Sequence, residues 1–488
     1  MVIDRKFVSR VCIGLIVAVL LGIEIYLSGL FLTFSLPFHD KELMLSESVC
    51  AKLAGHCLKV QDKSGEVLWQ SDDHLRVQDI LYYDADRDGS EELLLLCWKI
   101  GRYGSDRPFW VTRDEMTWSQ HIFIYDFDPE TSTISQRWLA SDIGPVVEAW
   151  TSRQIGDTTA LVLRQKDEKV TLWSWQGWGL KILDSSVSFL AVGDNLIHES
   201  IYRKALQEED GFDQLYQEFA PRLKEVDIAV VNQETPFVDE PILYGSFPDF
   251  GTPLEDARAL VDAGFNVFTC ATNHAYDRGI YGIECTQNYL ESHGAMCLGI
   301  HAEKEYDPSR LTEPLRAFLA ERCEIEKSLP YRIINRNGIR VALMNYTYDL
   351  NPTLAEIVPG SVQILPEDDE TLIAQIKEAQ EASDAVVLFM HWGTEYNTKL
   401  DAQQKHLANL FTEVGVDVVV GTHPHVVQTH EMRVRADGHK TLIYYSLGNF
   451  VSGQTKDNCR VRGIATFTIG QDFDGVTVTD YGYEEEEI

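Results

Sequence analysis

From Pro37 to about Ser185 the chain runs in short stretches of alternating apolar and polar residues broken by polar turns. LKVQDKSGEVLWQS, HIFIYDFDPETSTISQRWL and KVTLWSWQGWGLKILD are examples, rich in aromatic and β-branched residues. A period of two in such residues predicts strands, so 37–185 reads as an all-β module. Its runs resemble blades or hairpins, without a repeat regular enough to specify a full propeller. The texture changes at Val187. VSFLAVGD and DIAVVNQE are continuous apolar runs ending in an acid. PLEDARALVDAG has a helical period with Gly264 at its end, and FNVFTCATNH follows as a strand. GIRVALMNYTY, ETLIAQIKEAQEAS, DAVVLFMHWG, AQQKHLANLFTEVG, VDVVVGTHPH and TLIYYSLGNF continue the alternation. Strands that are apolar on both faces, interleaved with helices, predict an α/β domain over 187–472. The closing 473–488, with DYGYEEEEI, reads as a solvated acidic tail.

One segment fits neither texture. Val11 to Leu36 is almost continuously apolar and is preceded by Arg5, Lys6 and Arg10. That length suits one membrane-spanning helix. Basic residues ahead of it place 1–10 in the cytoplasm and the bulk of the chain outside the cell membrane. Glu24 inside the run costs roughly 3 kcal/mol at the centre of a span. No small-x-small cleavage site follows, so an uncleaved signal anchor is expected over a cleaved signal peptide.

Composition narrows the partners. The chain has 488 residues and a formal net charge of -34. Binding nucleic acid through phosphates needs Lys/Arg clusters, so nucleic acid is excluded as a partner. Docking on anionic lipid is disfavoured for the same reason. Hydrophobic residues make up 44%, enough for packed cores. The nine cysteines show no CxxC pair; Cys50 and Cys57 are close enough in sequence to bridge, and free thiols are the alternative. Nothing in the sequence sets an oligomeric state.

Within the β module lies DADRDGSEELLLL. Asp84, Asp86 and Asp88 alternate, Gly89 turns the chain and Glu92 follows, an oxygen-rich spacing that suits Ca²⁺. Position twelve from Asp84 is Leu95, so the loop is not an EF-hand. It resembles the calcium loops of FG-GAP and VCBS-type β repeats; a solvated acidic turn is the other reading.

In the α/β domain the strand ends carry the chemistry: Asp194, Asn232 and Glu234, Asn273 and His274, His391, then His423 and His425. Ligand sites in open α/β sheets form at the carboxyl ends of strands. Carboxylate, amide oxygen and imidazole suit Mn²⁺, Zn²⁺ or Fe, and the absence of thiolates there argues against a structural zinc.

These residues stand in the motifs VGD (192–194), NQE (232–234), ATNHAYDRGIYG (271–282), HWGTEY (391–396), GTHPH (421–425) and YSLGNF (445–450). With them the chain resembles the CapA, or PGA_cap, family linked to poly-γ-glutamate capsule, from about Val187 to Gly470. The resemblance implies a branch of the calcineurin-like metallophosphatases: a four-layer α/β/β/α sandwich with one or two divalent ions. By motif, Asp194 and His425 would hold the first ion, Glu234 would bridge, and Asn273, His391 and His423 would hold the second. His274, oriented by Asp277, would be the proton donor or charge stabiliser beside the substrate. Asn232, Trp392, Glu395, Tyr396 and Asn449 are expected on the substrate side. A departure is Leu196, where phosphatases place a histidine; His198 lies nearby. The implied function is metal-dependent hydrolysis of a phosphoester or γ-glutamyl amide by a membrane-anchored protein. The alternative is a non-catalytic factor that binds or exports an anionic polymer such as poly-γ-glutamate.

Overall fold

The computed structural model describes residues 5–29, 31–32, 36–103, 107, 109–302, 323–324, 330–351 and 360–488. They form two units, Met1–Asp184 and Ser185–Ile488.

The first unit is three consecutive four-stranded antiparallel meanders. The first comprises Lys41–Met44, Val49–Ala54, Cys57–Asp62 and Val67–Gln70. The second comprises Arg76–Tyr83, Glu92–Ile100, Trp118–Asp128 and Thr133–Leu139, and the third Val147–Ile155, Thr158–Gln165, Val170–Gln176 and Gly179–Leu183. The middle sheet is buried on both faces, which explains its run of five leucine and cysteine positions from Leu93 to Cys97. Leu93 and Leu95 pack with Leu58 and Val60, while Leu94 and Leu96 pack with Leu161 and Leu163. Cys50 and Cys57 are both free.

The acidic loop 84–92 brings oxygens of Asp84, Asp86, Asp88 and Glu92 within 4.8 Å of one another. Its carboxylates cap the loop's own backbone: Asp84 accepts from Arg87 N (2.7 Å) and Gly89 N (3.1 Å), and Glu92 from Ala85 N (2.7 Å). Arg137 pairs with Asp86, Asp88 and Asp126, so a guanidinium already offsets part of this charge.

The expected span over 11–36 is not a single helix. The helix is Arg5–Ser28 and stops at Gly29, which turns at φ +68. Trp118 Nε1 donates to Tyr26 O (2.7 Å) and Arg76 Nε to Ser28 O (2.8 Å), so the helix end is tied to the second meander. Among the described residues no helix is long and apolar enough to cross a membrane. Residues 30 and 33–35 of the expected span lie outside the description.

The second unit stacks four layers. One sheet runs Met296–Leu298, Val267–Thr269, Ile228–Gln233, Ser186–Leu196, Val461–Gln471 and Val476–Glu487, with Asn449–Ser452 also on the central strand. The other runs Cys323–Glu324, Tyr331–Arg336, Ile339–Thr347, Ala385–His391, Val418–Thr422, Lys440–Tyr444 and His430–Val434. Alternate residues of each strand serve different cores. Phe189, Ala191 and Val230 meet Leu343, Val387 and Val420 between the sheets. Leu190 and Val231 face outward onto Tyr202, Leu260 and Leu290, and Leu388 and Val419 onto Ile376, Leu407 and Phe411. Both faces of the central strands are therefore covered, and those strands are apolar throughout. The helix Ala402–Val414 is set by local signals: a capping box between Asp401 and Gln404, and Gly415 in the left-handed region at φ +92.

The acidic tail is not free in solvent. Val476–Glu487 pairs antiparallel with Val461–Gln471 along its length. Arg222 meets Glu484 and Glu486 at 3.1 Å each, and Arg462 meets Glu486 at 2.7 Å. Cations from elsewhere in the chain turn a self-repelling run into an edge strand.

Candidate metal centre

The parallel central strands end together. Asp194 near the end of Ser186–Leu196 pairs in register with Asn232 of Ile228–Gln233, and Thr347 of Ile339–Thr347 with His391. Asp194 is fully buried. Its Oδ1 accepts from Asn232 Nδ2 (2.9 Å), and its Oδ2 lies 3.0 Å from His425 Nδ1. Asn232 thus orients Asp194.

Glu234 is the unusual residue. It is fully buried, and neither carboxylate oxygen has a hydrogen-bond partner. Its backbone is fixed instead: its N–H donates to Asn195 O (3.2 Å), and its carbonyl accepts from Thr272 Oγ1 (2.6 Å). Glu234 Oε1 lies 3.7 Å from His425 Nε2 and 4.0 Å from His391 Nε2. His391 Nε2 is 2.9 Å from Asn273 Oδ1, and His423 Nδ1 is buried without a partner.

Two ligand groups emerge, each with its donor atoms within 4.8 Å of one another: Glu234, His391 and His423, and Asp194, Glu234 and His425. Glu234 belongs to both. Buried polar atoms are nearly always partnered, so orphaned oxygens and an orphaned imidazole nitrogen converging on one spot fit a divalent cation. The donor set, carboxylate and imidazole with the Asn273 amide alongside, suits one.

The loop after Val418–Thr422 shows why two histidines stand either side of Pro424. His423 and His425 both have positive φ, +96 and +58, a costly conformation for such side chains. The double reversal turns both rings to one side, 5.9 Å apart, with His423 also 4.7 Å from His391. Gly421 is required there, because a Cβ would collide with Tyr445 O and the Trp392 indole.

His274 joins neither ligand group. Its Nδ1 is 2.7 Å from Asp277 Oδ2, which also accepts from Phe250 N at 2.8 Å. The Phe250 ring meets it edge-on at 4.7 Å. Asn351 Oδ1 accepts from Asn273 Nδ2 (3.2 Å), and Asn351 Nδ2 lies 3.2 Å from His274 Nε2, linking the two.

Among the remaining expected residues, Glu395 is exposed and Tyr396 half-buried, its ring 5.9 Å from that of His425. Asn449 is buried beside Asp194, its Nδ2 donating to Gln454 and Cys459 O. Trp392 does not line a pocket. Its indole is fully buried, donates to Tyr445 O (2.9 Å) and packs on Tyr445 and Phe411. Trp392→Ala is expected to cost about 3–5 kcal/mol of stability, read by urea unfolding. Residues the motifs did not single out are Tyr348, whose ring is 4.7 Å from that of His423, and Phe250 and Asn351. The signal for Tyr348 was its place just beyond the strand ending at Thr347. His198 turns its ring to Phe250 (5.4 Å) and belongs to neither ligand group.

With this geometry in view, relatives carry weight. Residues 188–315 and 322–454, more than half of the chain, match the family "Bacterial capsule synthesis protein PGA_cap". The chain belongs to this family. It is 29% identical over 285 residues to the "PGA biosynthesis protein CapA" of Bacillus subtilis, covering 57% of this chain and 68% of that one. It is 28% identical over 367 residues to the "Capsule biosynthesis protein CapA" of Bacillus anthracis, covering 72% and 77%. Among solved structures, a calcineurin-like phosphoesterase from Bacillus subtilis is 13% identical with a TM-score of 0.32, over 62% of this chain and 91% of that one. A Mycoplasma pneumoniae phosphatase is 12% identical with a TM-score of 0.34, over 62% and 94%. Likeness at that level carries no weight, and the chemistry rests on the side chains.

The electrostatics of the site in this PGA_cap protein are those of an uncompensated cluster. Burial foremost raises the Glu234 carboxyl well above its usual range, with Asp194 adding to it and His425 opposing. Burial and neighbouring imidazoles lower His391 well below the usual value and His423 to about 3. Burial would lower His425 too, but the Glu234 and Asp194 carboxylates outweigh it and raise it to about 9. The depressed histidines bind fewer protons folded than unfolded, so their contribution to stability grows as pH rises toward 6.5. Glu234 and His425 act the other way: their contribution is present at low pH and is lost as pH rises, through about 9 for His425. Metal ligands must be deprotonated. The metal-free protein should therefore lose thermal stability between pH 6.5 and 9 while its Mn²⁺ affinity increases. Melting in chelator and Mn²⁺ calorimetry across that window check both.

Proposed function

We propose that this PGA_cap protein is a metal-dependent hydrolase acting on a phosphoester or γ-glutamyl amide in the making or processing of an anionic surface polymer such as poly-γ-glutamate. The observation that carries the reading is Glu234, a buried carboxylate with both oxygens unpartnered and shared by two ligand groups. Asp194, Glu234 and His425 would hold one ion, and Glu234, His391 and His423, with Asn273, the other. Mn²⁺, Zn²⁺ and Fe all suit these donors. Divalent cations held there supply Lewis-acid polarisation of a phosphoryl or carbonyl oxygen. His274, set by Asp277, stands ready to give a proton to the leaving group. The fold we assign to this activity is the four-layer metallophosphatase sandwich.

Membrane anchoring belongs to the same reading. It is supported by the apolar sequence 11–36 and by the exposure of Val19, Leu20 and Leu21 on the helix Arg5–Ser28. The loop 84–92 would take Ca²⁺ by displacing Arg137 from Asp86 and Asp88. The test is elemental analysis of the purified chain, then Mn²⁺-supplemented assays on a phosphodiester, a phosphomonoester and a γ-glutamyl polymer. Turnover of one class assigns the substrate. Bound metal with no turnover on any of them favours the non-catalytic, polymer-binding alternative, and absence of metal refutes the centre itself.

A further inference from the structure

Lys456 lies just beyond the strand Asn449–Ser452, and its Nζ sits 3.1 Å from the centroid of the Tyr396 ring. That ring is 5.9 Å from the ring of His425, so the ammonium stands within about 9 Å of a candidate metal ligand. The platform is held in place. Tyr396 adopts a positive φ of +62, and its N–H donates to Pro424 O at 2.8 Å, between the two histidines of the metal loop. Gln454 Nε2 reaches the Tyr396 hydroxyl at 3.3 Å, while Gln454 Oε1 accepts from buried Asn449 Nδ2 at 3.0 Å. The segment carrying Lys456 is thereby tied both to the platform and to the strand beside Asp194.

The charge of Lys456 is what needs an account. Among the described residues Lys456 is exposed and has no ion pair, in a chain of net charge -34. Other lysines of this unit are unpaired too, and Lys456 is set apart by its place on the Tyr396 ring beside the metal loop. A contact with a ring face orients an ammonium without neutralising it. The cation stays available to an incoming anion, in a chain whose overall field would repel one.

We propose that Tyr396 and Lys456 form an oxyanion-recognising arm, which binds a phosphate or carboxylate carried by the substrate next to the group presented to the metals. This rests on the hydrolytic reading and adds to it the charge of the substrate. Binding of inorganic phosphate and of γ-glutamyl-glutamate to the Mn²⁺-loaded chain would be measured by calorimetry, for wild type, Lys456→Gln and Lys456→Arg. Lys456→Gln should weaken at least one probe about tenfold with manganese content unchanged, and Lys456→Arg should retain most of the affinity. The probe that responds tells phosphate from carboxylate. Equal affinities in wild type and Lys456→Gln, or no binding of either probe to the loaded wild type, would overturn the arm and leave the metal centre standing. Failure of wild type and variants to load manganese would overturn the hydrolytic reading and the arm with it.

Discussion

Glu234→Gln is expected to leave a folded protein that no longer holds two metal ions. Wild type should carry about two ions per chain, and the variant at most about one, with affinity reduced more than the roughly 10–100-fold that outer-shell losses cost. The reason is that Glu234 alone belongs to both ligand groups, and an amide offers no charge to either ion. The fold should tolerate the change. Gln has the same shape, its backbone bonds to Asn195 and Thr272 are untouched, and it removes a buried carboxyl that has no partner. Metal-free melting temperature should stay level or rise. The gain on adding Mn²⁺ should disappear; for wild type one ion at 100 times its dissociation constant is worth about 2.7 kcal/mol. Equilibrium dialysis with elemental analysis, and melting with and without Mn²⁺, read both effects. A variant that loads metal like wild type would refute the bridging role.

His274→Ala should separate chemistry from metal binding. His274 stands outside both ligand groups, so metal content should be unchanged. Turnover of whichever substrate the wild type accepts should fall about 10²–10⁴-fold, the usual value of a placed general acid. Asp277→Asn should cost less, because the Phe250 ring and Asn351 still position the imidazole while the carboxylate that sets its proton is lost. Its signature would be a shifted pH profile of kcat at unchanged metal content. Equal turnover in wild type and His274→Ala would assign the proton to another group.

Much of the candidate site was legible along the chain, because each candidate ligand sits at or just beyond the end of an apolar strand, and strand ends are local features. Asp194, Glu234, Asn273, His391, His423 and His425 could be named from where a hydrophobic run stopped. Trp392 could not be placed by the same rule. It directly follows His391, and alternation along a strand sends neighbours to opposite sides, so the residue beside a ligand faces the core under Tyr445 and Phe411. Strand pairing likewise sets the Asn232 amide against Asp194, a partner that no local pattern names. Phe250 and Tyr348 carry no motif, and only the folding back of their loops brings their rings to His274 and His423.

The sequence by itself determined the α/β alternation of the second unit, the β character of the first, and the chemical character of the candidate ligand side chains. Periodicity, capping residues and the apolar character of buried strands are all written within a few residues of where they act. Only the tertiary structure decided that Glu234 is buried with both carboxylate oxygens unpartnered and that the helix Arg5–Ser28 ends at Gly29 against Trp118 and Arg76. It alone made the acidic C-terminal run a strand. In each case the deciding partner is remote in the chain: His425 for Asp194, Trp118 for Tyr26, Arg222 and Arg462 for Glu484 and Glu486. A local pattern fixes what a residue can do, and the remote neighbour that burial and charge bring to it settles what it does.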